Sequence, residues 1–401
     1  MKTLSILFCL FLGLITHSQN WETMQIMPAG ASQRHHPATF SIGGVGYLVS
    51  GSMANYNSLQ DFYSYDPGTN SWTSKTDFPG PSRGYAYAVA SDTKGYLGFG
   101  WSNEPGNGVD QYLNDLWEYD PLTDSWTELT SCPGVARIHP ALIYLNSKIY
   151  MGLGGDGNGD LGDWWEYDIN TDTWTEKATF PGSNRHHPYF FGVGDYCYVG
   201  MGHSGPDIFK DLYRYDPNTD SWTQMSDLPD QGRVAGTQFS YDGKGYVLSG
   251  QGETHSNLPT GEFWEYDPIT DNWTALTAHP DGGRWAPGSF IIDEYVYFMC
   301  GEANVGVLKD LMRFQLTNFV STGDDTNQKL TLYPNPANHS VSFHGLSSAA
   351  KLQISDMQGK LWIEKWIEPG ETLDVSMIPS GLYNCCIEMD GNKVFSKLTV
   401  F

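Results

Sequence analysis

Basic residues are scarce in this chain: 22 Lys and Arg stand against 46 Asp and Glu in 401 residues, a formal charge of −24 at neutral pH. That balance repels nucleic acid and anionic membrane surfaces at long range, and excludes both as partners. It serves solubility, or loose cation binding outside a cell. Charge of either sign is sparse too, at 17%, while Gly and aromatic residues are abundant, which excludes a disordered tail or a helical bundle. Cysteine is limited to six, and leaving aside Cys9 in the N-terminal apolar run an odd five remain. Cys197 and Cys300 fall in different repeats, Cys132 precedes a Pro and Cys385 adjoins Cys386, so neither a disulfide framework nor a cysteine metal site is expected. The apolar run at residues 4–15 is too short to span a bilayer. With the basic start Met1-Lys2-Thr3 and the polar Thr16-His17-Ser18-Gln19, it reads as a signal peptide over residues 1–18, cleaved on export. No transmembrane segment is expected in the mature chain. There is no phosphate-cradling loop opening a helix, no nucleophile elbow and no pair of carboxylates at a defined catalytic separation.

What the chain does have is a repeat. A Trp is followed seven residues later by a Pro at Trp21, Trp72, Trp126, Trp174, Trp222 and Trp273. After each Pro come an Arg (Arg34, Arg83, Arg137, Arg185, Arg233, Arg284), a Tyr opening an apolar run, and a Gly four residues beyond that Tyr (Gly51, Gly100, Gly154, Gly202, Gly250, Gly301). A variable loop then leads to an acidic residue, an aromatic segment such as Leu212-Tyr213-Arg214-Tyr215 and the turn Asp216-Pro217-Asn218-Thr219-Asp220 before the next Trp. Pro presets φ in this turn, and Asp and Thr can bond nearby backbone amides. Four β-prone runs per repeat predict a four-stranded antiparallel blade that must stack on its neighbours around an axis.

These residues resemble the kelch family of β-propellers, over roughly residues 20–316. Kelch repeats commonly carry two adjacent glycines after the second strand, whereas this chain has Phe99-Gly100, Leu153-Gly154, Met201-Gly202 and Cys300-Gly301. The last repeat has no Trp strand of its own and the first Trp precedes every other strand. The expected fold is therefore all-β: a six-bladed propeller over residues 19–316, closed by the N-terminal strand, which removes free sheet edges.

A polar linker at 317–328 follows, and residues 329–401 alternate like a small β-sandwich. Leu332-Tyr333-Pro334-Asn335-Pro336-Ala337, Ile354-Ser355-Asp356-Met357-Gln358-Gly359-Lys360, Pro379-Ser380-Gly381-Leu382-Tyr383 and the ending Lys397-Leu398-Thr399-Val400 resemble the C-terminal sorting domain of proteins exported by the type IX secretion system of Bacteroidetes. The resemblance implies engagement by that machinery, passage through the periplasm and outer membrane, and a propeller released or held at the cell surface.

In an antiparallel blade the loop before the first strand and the loop after the second emerge on one face. That face is expected to carry any ligand site, with the six arginines either around its mouth as ligand-holding cations or paired with acidic residues inside the blades. The residue after each Gly differs in every repeat: Ser52, Trp101, Gly155, His203, Gln251 and Glu302. Trp101 suits sugar stacking, and His203 and Glu302 suit acid–base work or hydrogen bonding. Histidines 35, 36, 139, 186 and 187 adjoin the arginines, but without a local zinc spacing they reach a common ion only if the lumen is narrow, so no metal cofactor is expected. The nearest calcium candidate is the acidic turn of Asp156, Asn158, Asp160 and Asp163, which lacks an EF-hand's Gly and closing Glu. Two functions fit: a secreted module binding a glycan or an extracellular protein, and a sugar isomerase of the sialic acid mutarotase type, which this chain resembles in repeat count and export.

Overall fold

The computed structural model describes residues 21–103, 110–316 and, within 331–400, all but 334–336, 338, 345, 347, 357–359 and 390–391. The expected signal peptide (1–18) and linker (317–328) lie outside the described residues. The chain divides into two compact units, one of Gln19–Asn318 and one containing Phe319–Phe401. Among the described residues every regular element is a strand.

The larger unit holds six four-stranded antiparallel sheets. The first consists of Ala38–Ile42, Val45–Val49, Phe62–Asp66 and Ser71–Ser74, in that order, and the next four repeat the pattern from Tyr87–Ala90, Ala141–Leu145, Tyr189–Val193 and Thr237–Tyr241 onward. The sixth takes Gly288–Ile292, Tyr295–Met299 and Leu311–Gln315 from the end of the repeat region and its outermost strand, Glu22–Thr23, from the beginning. Glu22 pairs with Arg313 and Thr23 with Met312.

Neighbouring sheets join through a recurring contact. The second strand carries a Gly, and an aromatic ring from the first strand of the preceding sheet lies over it: Phe40 over Gly95, Phe191 over Gly245 and, from the sixth sheet to the first, Phe290 over Gly46. A Cβ at Gly46 would fall 2.2 Å from the Phe290 ring, so only Gly admits this approach. The first strands of all six sheets surround a space of about 350 Å³.

The third-strand tyrosines Tyr65, Tyr119, Tyr167, Tyr215 and Tyr266 are fully buried, and each donates its hydroxyl to the Asn or Asp five residues on. In the turn between, Asp66, Asp120, Asp168, Asp216 and Asp267 each accept from the amide two residues ahead, as the Tyr-Asp turn chemistry predicts. The repeated tryptophans occupy the outermost strand, or at Trp21 the position just before it, and are half-buried, where they act as an inter-sheet clasp. Trp72, Trp174, Trp222 and Trp273 donate Nε1 to a backbone carbonyl of the sheet before, and Trp21 does the same to Thr277.

The departure from paired glycines has a visible cause. Ser50, Phe99, Leu153, Met201, Ser249 and Cys300 all sit at positive φ, between 53° and 65°, immediately before the Gly. A left-handed L-residue costs about 1–2 kcal/mol. All six side chains are fully buried, and the apolar ones recover that cost by filling core that Gly would leave empty.

In the smaller unit, Thr331–Tyr333, Ser340–His344 and Thr372–Asp374 form one sheet and Leu361–Ile367, Ala350–Asp356, Gly381–Met389 and Asn392–Val400 another. Val341, Phe343, Leu352, Ile354, Ile367, Ile387 and Leu398 fill the core they share.

Candidate functional site

The six arginines lie inside the sheets, with no exposed surface. Arg34 forks onto both oxygens of Asp61 at 2.6 Å each and also donates to the carbonyls of Ser50 and Ser32. Arg83 with Asp115, Arg137 with Asp163, Arg185 with Asp211 and Arg284 with Asp310 repeat the fork. Arg233 departs: Glu262 takes only its Nη2, at 2.7 Å, and the Ser249 carbonyl is occupied by the Tyr189 hydroxyl. The reading of these arginines as cations around a mouth is therefore corrected in favour of the paired one. A guanidinium withdrawn from water needs carboxylate and carbonyl acceptors, and each repeat supplies its own.

The arginine does place the next residues. In every repeat the residue after it bridges the residue after the Gly: His35 with Ser52, Gly84 with Trp101, Ile138 with Gly155, His186 with His203, Val234 with Gln251 and Trp285 with Glu302. The two loops thus share a face, as the blade topology requires. Ser52 and Gly155 are buried there, whereas Trp101, His203, Gln251 and Glu302 are partly exposed. Trp101 stacks on Tyr85 with ring centroids 5.8 Å apart. Gln251 and Glu302 line a cavity of about 500 Å³ with Tyr56, Ser256, Asn257, Trp285 and Asn304. Within it Asn257 donates Nδ2 to the Glu302 carbonyl at 3.2 Å and accepts from Gln251 Nε2 at 3.3 Å.

His203 stands elsewhere on this face, in a histidine group. Its ring lies 3.9 Å from that of His186, and its Nδ1 is 3.1 Å from His255 Nε2. His186 Nδ1 in turn meets Asp160 at 2.5 Å. Beside them lie His36, His139 and His187, all buried. Burial, reinforced by neighbouring histidines, holds these three well below the ordinary imidazole pKa. Burial also pushes His35 and His203 down to about 4. The lumen is narrow enough to bring histidines of three sheets together, which repeat spacing alone left open.

The acidic turn proposed for calcium is divided among other tasks. Asp163 accepts from Arg137 and from Trp165 Nε1, Asp160 holds His186, and Asp156 caps the amides of Asn158 and Gly159. Among the described residues, two groups bring three ligand atoms within 4.8 Å of one another, His36-His139-His187 and His186-His187-His203, and neither includes the turn.

Sequence reasoning missed Tyr56, Tyr85, Asn257, Trp285 and Asn304. Tyr85 and Trp285 had a signal: they stand two and one residues after the repeated Arg, in register with His36 and His35. The others sit in loops of unequal length and carry none.

Residues 331–400 match the family model of the secretion system C-terminal sorting domain, and residues 99–133 match that of the Kelch motif. No curated protein matches the chain. The kelch resemblance and the sorting-domain resemblance both stand, and together they point to an exported protein that engages the type IX secretion machinery and is secreted or displayed at the cell surface.

Proposed function

We propose that the repeat region of this kelch protein is a closed six-bladed propeller that binds a glycan in the cavity between Trp285 and Tyr56. The lining carries the reading. Two aromatic rings offer faces for sugar C–H groups, and the amides of Gln251, Asn257 and Asn304 with the Glu302 carboxylate offer paired donors and acceptors for hydroxyls. Closure is supported by the seating of Glu22–Thr23 on the sixth sheet and by the Phe290 contact on Gly46. A fixed ring would hold loops of the fifth and sixth repeats and of the first in constant relation, which preorganises the cavity.

The isomerase alternative asks for arginines free to hold a substrate carboxylate. All six have internal carboxylate partners instead. Binding without turnover is the reading we retain, and a proton NMR anomerisation assay with sialic acid checks it: acceleration over buffer would restore the enzyme. Binding itself is tested on a glycan array with the full chain, followed by Trp285→Ala on any hit. Loss of the hit supports the cavity, and an unchanged signal removes it.

A further inference from the structure

We propose that His36, His139 and His187 form a binding site for one divalent transition-metal ion of the zinc or copper type at the centre of the loop-bearing face. The site follows from the repeat register. The residue two after each buried arginine is left-handed in all six repeats, with φ of 52° at His36, 61° at Tyr85, 52° at His139, His187 and Ala235, and 49° at Ala286. One backbone conformation at one register sends these side chains toward one place. His36, His139 and His187 meet there, Tyr85 packs edge-on against His36 and His139 with centroids at 4.4 and 4.7 Å, and the two alanines contribute no rival polar atom.

The three rings are each at least 94% buried. His36 Nε2 lies 3.0 Å from His187 Nε2, and the His139 and His187 rings stack with centroids 3.3 Å apart. Both nitrogens of His139 and Nδ1 of His187 have no hydrogen-bond partner. A buried polar nitrogen without a partner costs about 1–3 kcal/mol, and His139, with both ring nitrogens unpartnered, has one free to ligate beside Nε2 of His36 and His187. Imidazole nitrogens at about 2.0–2.1 Å from a tetrahedral ion stand about 3.3 Å apart, close to the His36–His187 spacing. An all-imidazole set suits zinc, copper, nickel or iron and not calcium or magnesium. His35 Nδ1, 2.7 Å from His36 Nδ1, can accept that proton and leave Nε2 of His36 as the ligand atom.

His186 and His203 form a second group with the same His187, nearer solvent. The axial triad is preferred because His139, both of whose ring nitrogens are orphaned, belongs to it alone. The full chain, stripped with chelator, is titrated calorimetrically with Zn²⁺ and then with Cu²⁺, and the Cu²⁺ form is examined by electron paramagnetic resonance. One ion per chain, three nitrogen couplings, and at least about tenfold weaker binding in His139→Gln and His187→Gln but not in His203→Gln are expected. Substoichiometric binding, or full affinity in His139→Gln, overturns the site. Loss in His203→Gln with retention in His139→Gln overturns the axial assignment. Should the His139 and His187 variants not fold, His203→Gln decides: one tightly bound ion with three nitrogen couplings in that variant supports the axial triad, and their loss overturns it.

Discussion

Loss of the Arg137 side chain takes both guanidinium donors from the Asp163 carboxylate, leaving it Trp165 Nε1, and takes this donor from the carbonyls of Leu153 and Val135, all within one repeat. Breaking a buried pair on one side costs about 3–5 kcal/mol, whereas an exposed pair contributes below about 1 kcal/mol. Arg137→Ala is therefore expected to destabilise by several kcal/mol in urea unfolding, and Arg313→Ala, whose partner Glu22 is exposed, by less than about 1 kcal/mol. Equal effects would place Arg137 outside the core. His279 makes a second residue-level test. It lies under Trp21 and Phe298, and burial together with Arg284 pushes it down to about 3. The unfolded chain takes up a proton near pH 6.5 that the folded chain refuses until about pH 3. Its contribution to stability is complete above pH 6.5 and falls away toward pH 3, with a slope of up to about 1.4 kcal/mol per pH unit. His279→Gln should flatten the acid limb of the stability profile by that slope. An unaltered limb would mean that His279 protonates freely in the folded state.

Strand positions were the most legible part of the chain, because Trp, Tyr, Gly and turn residues recur at fixed offsets and each has a single structural task. Burial was less legible. The outer-strand tryptophans, the clearest landmark of the repeat, are only half-buried, and Trp72, Trp174, Trp222 and Trp273 donate to the neighbouring sheet. Trp164, on a third strand, is the fully buried one. Trp164→Ala is accordingly expected to cost about 3–5 kcal/mol and Trp126→Ala clearly less, by the same unfolding measurement. The arginines were legible as a repeat but not in location, since their partners lie 26–32 residues downstream across a variable loop. The histidine centre was written only in the register two residues past each arginine. The N-terminal strand makes the sharpest element-scale prediction. Trp21 packs on Phe263, Phe298 and Phe314, so deleting residues 21–28 removes one aromatic anchor and bares a sheet edge. The unfolding midpoint should fall by about 10 °C. An unchanged midpoint would sink the ring closure.

At the scale of the whole molecule, residues 331–400 match a sorting domain for export, and the repeats are where recognition is proposed. A chain ending at Asp324 should fold but remain in the periplasm of its native host, and its normal appearance in the medium would contradict the sorting role. On the proposed reading this protein binds its ligand at the loop-bearing face, in the aromatic and amide-lined cavity. A ligand identified on the array, titrated calorimetrically against the wild-type chain and against Trp285→Ala and Glu302→Gln, tests it most directly. Glu302 is partly exposed, so Glu302→Gln should leave the unfolding midpoint unchanged. The Trp285 ring rests on His35 and His36 with centroids at 4.7 and 4.6 Å, so Trp285→Ala should lower the midpoint while still folding. Binding should weaken by about 1–3 kcal/mol in each variant. Wild-type affinity in both folded variants would move the binding surface off this face.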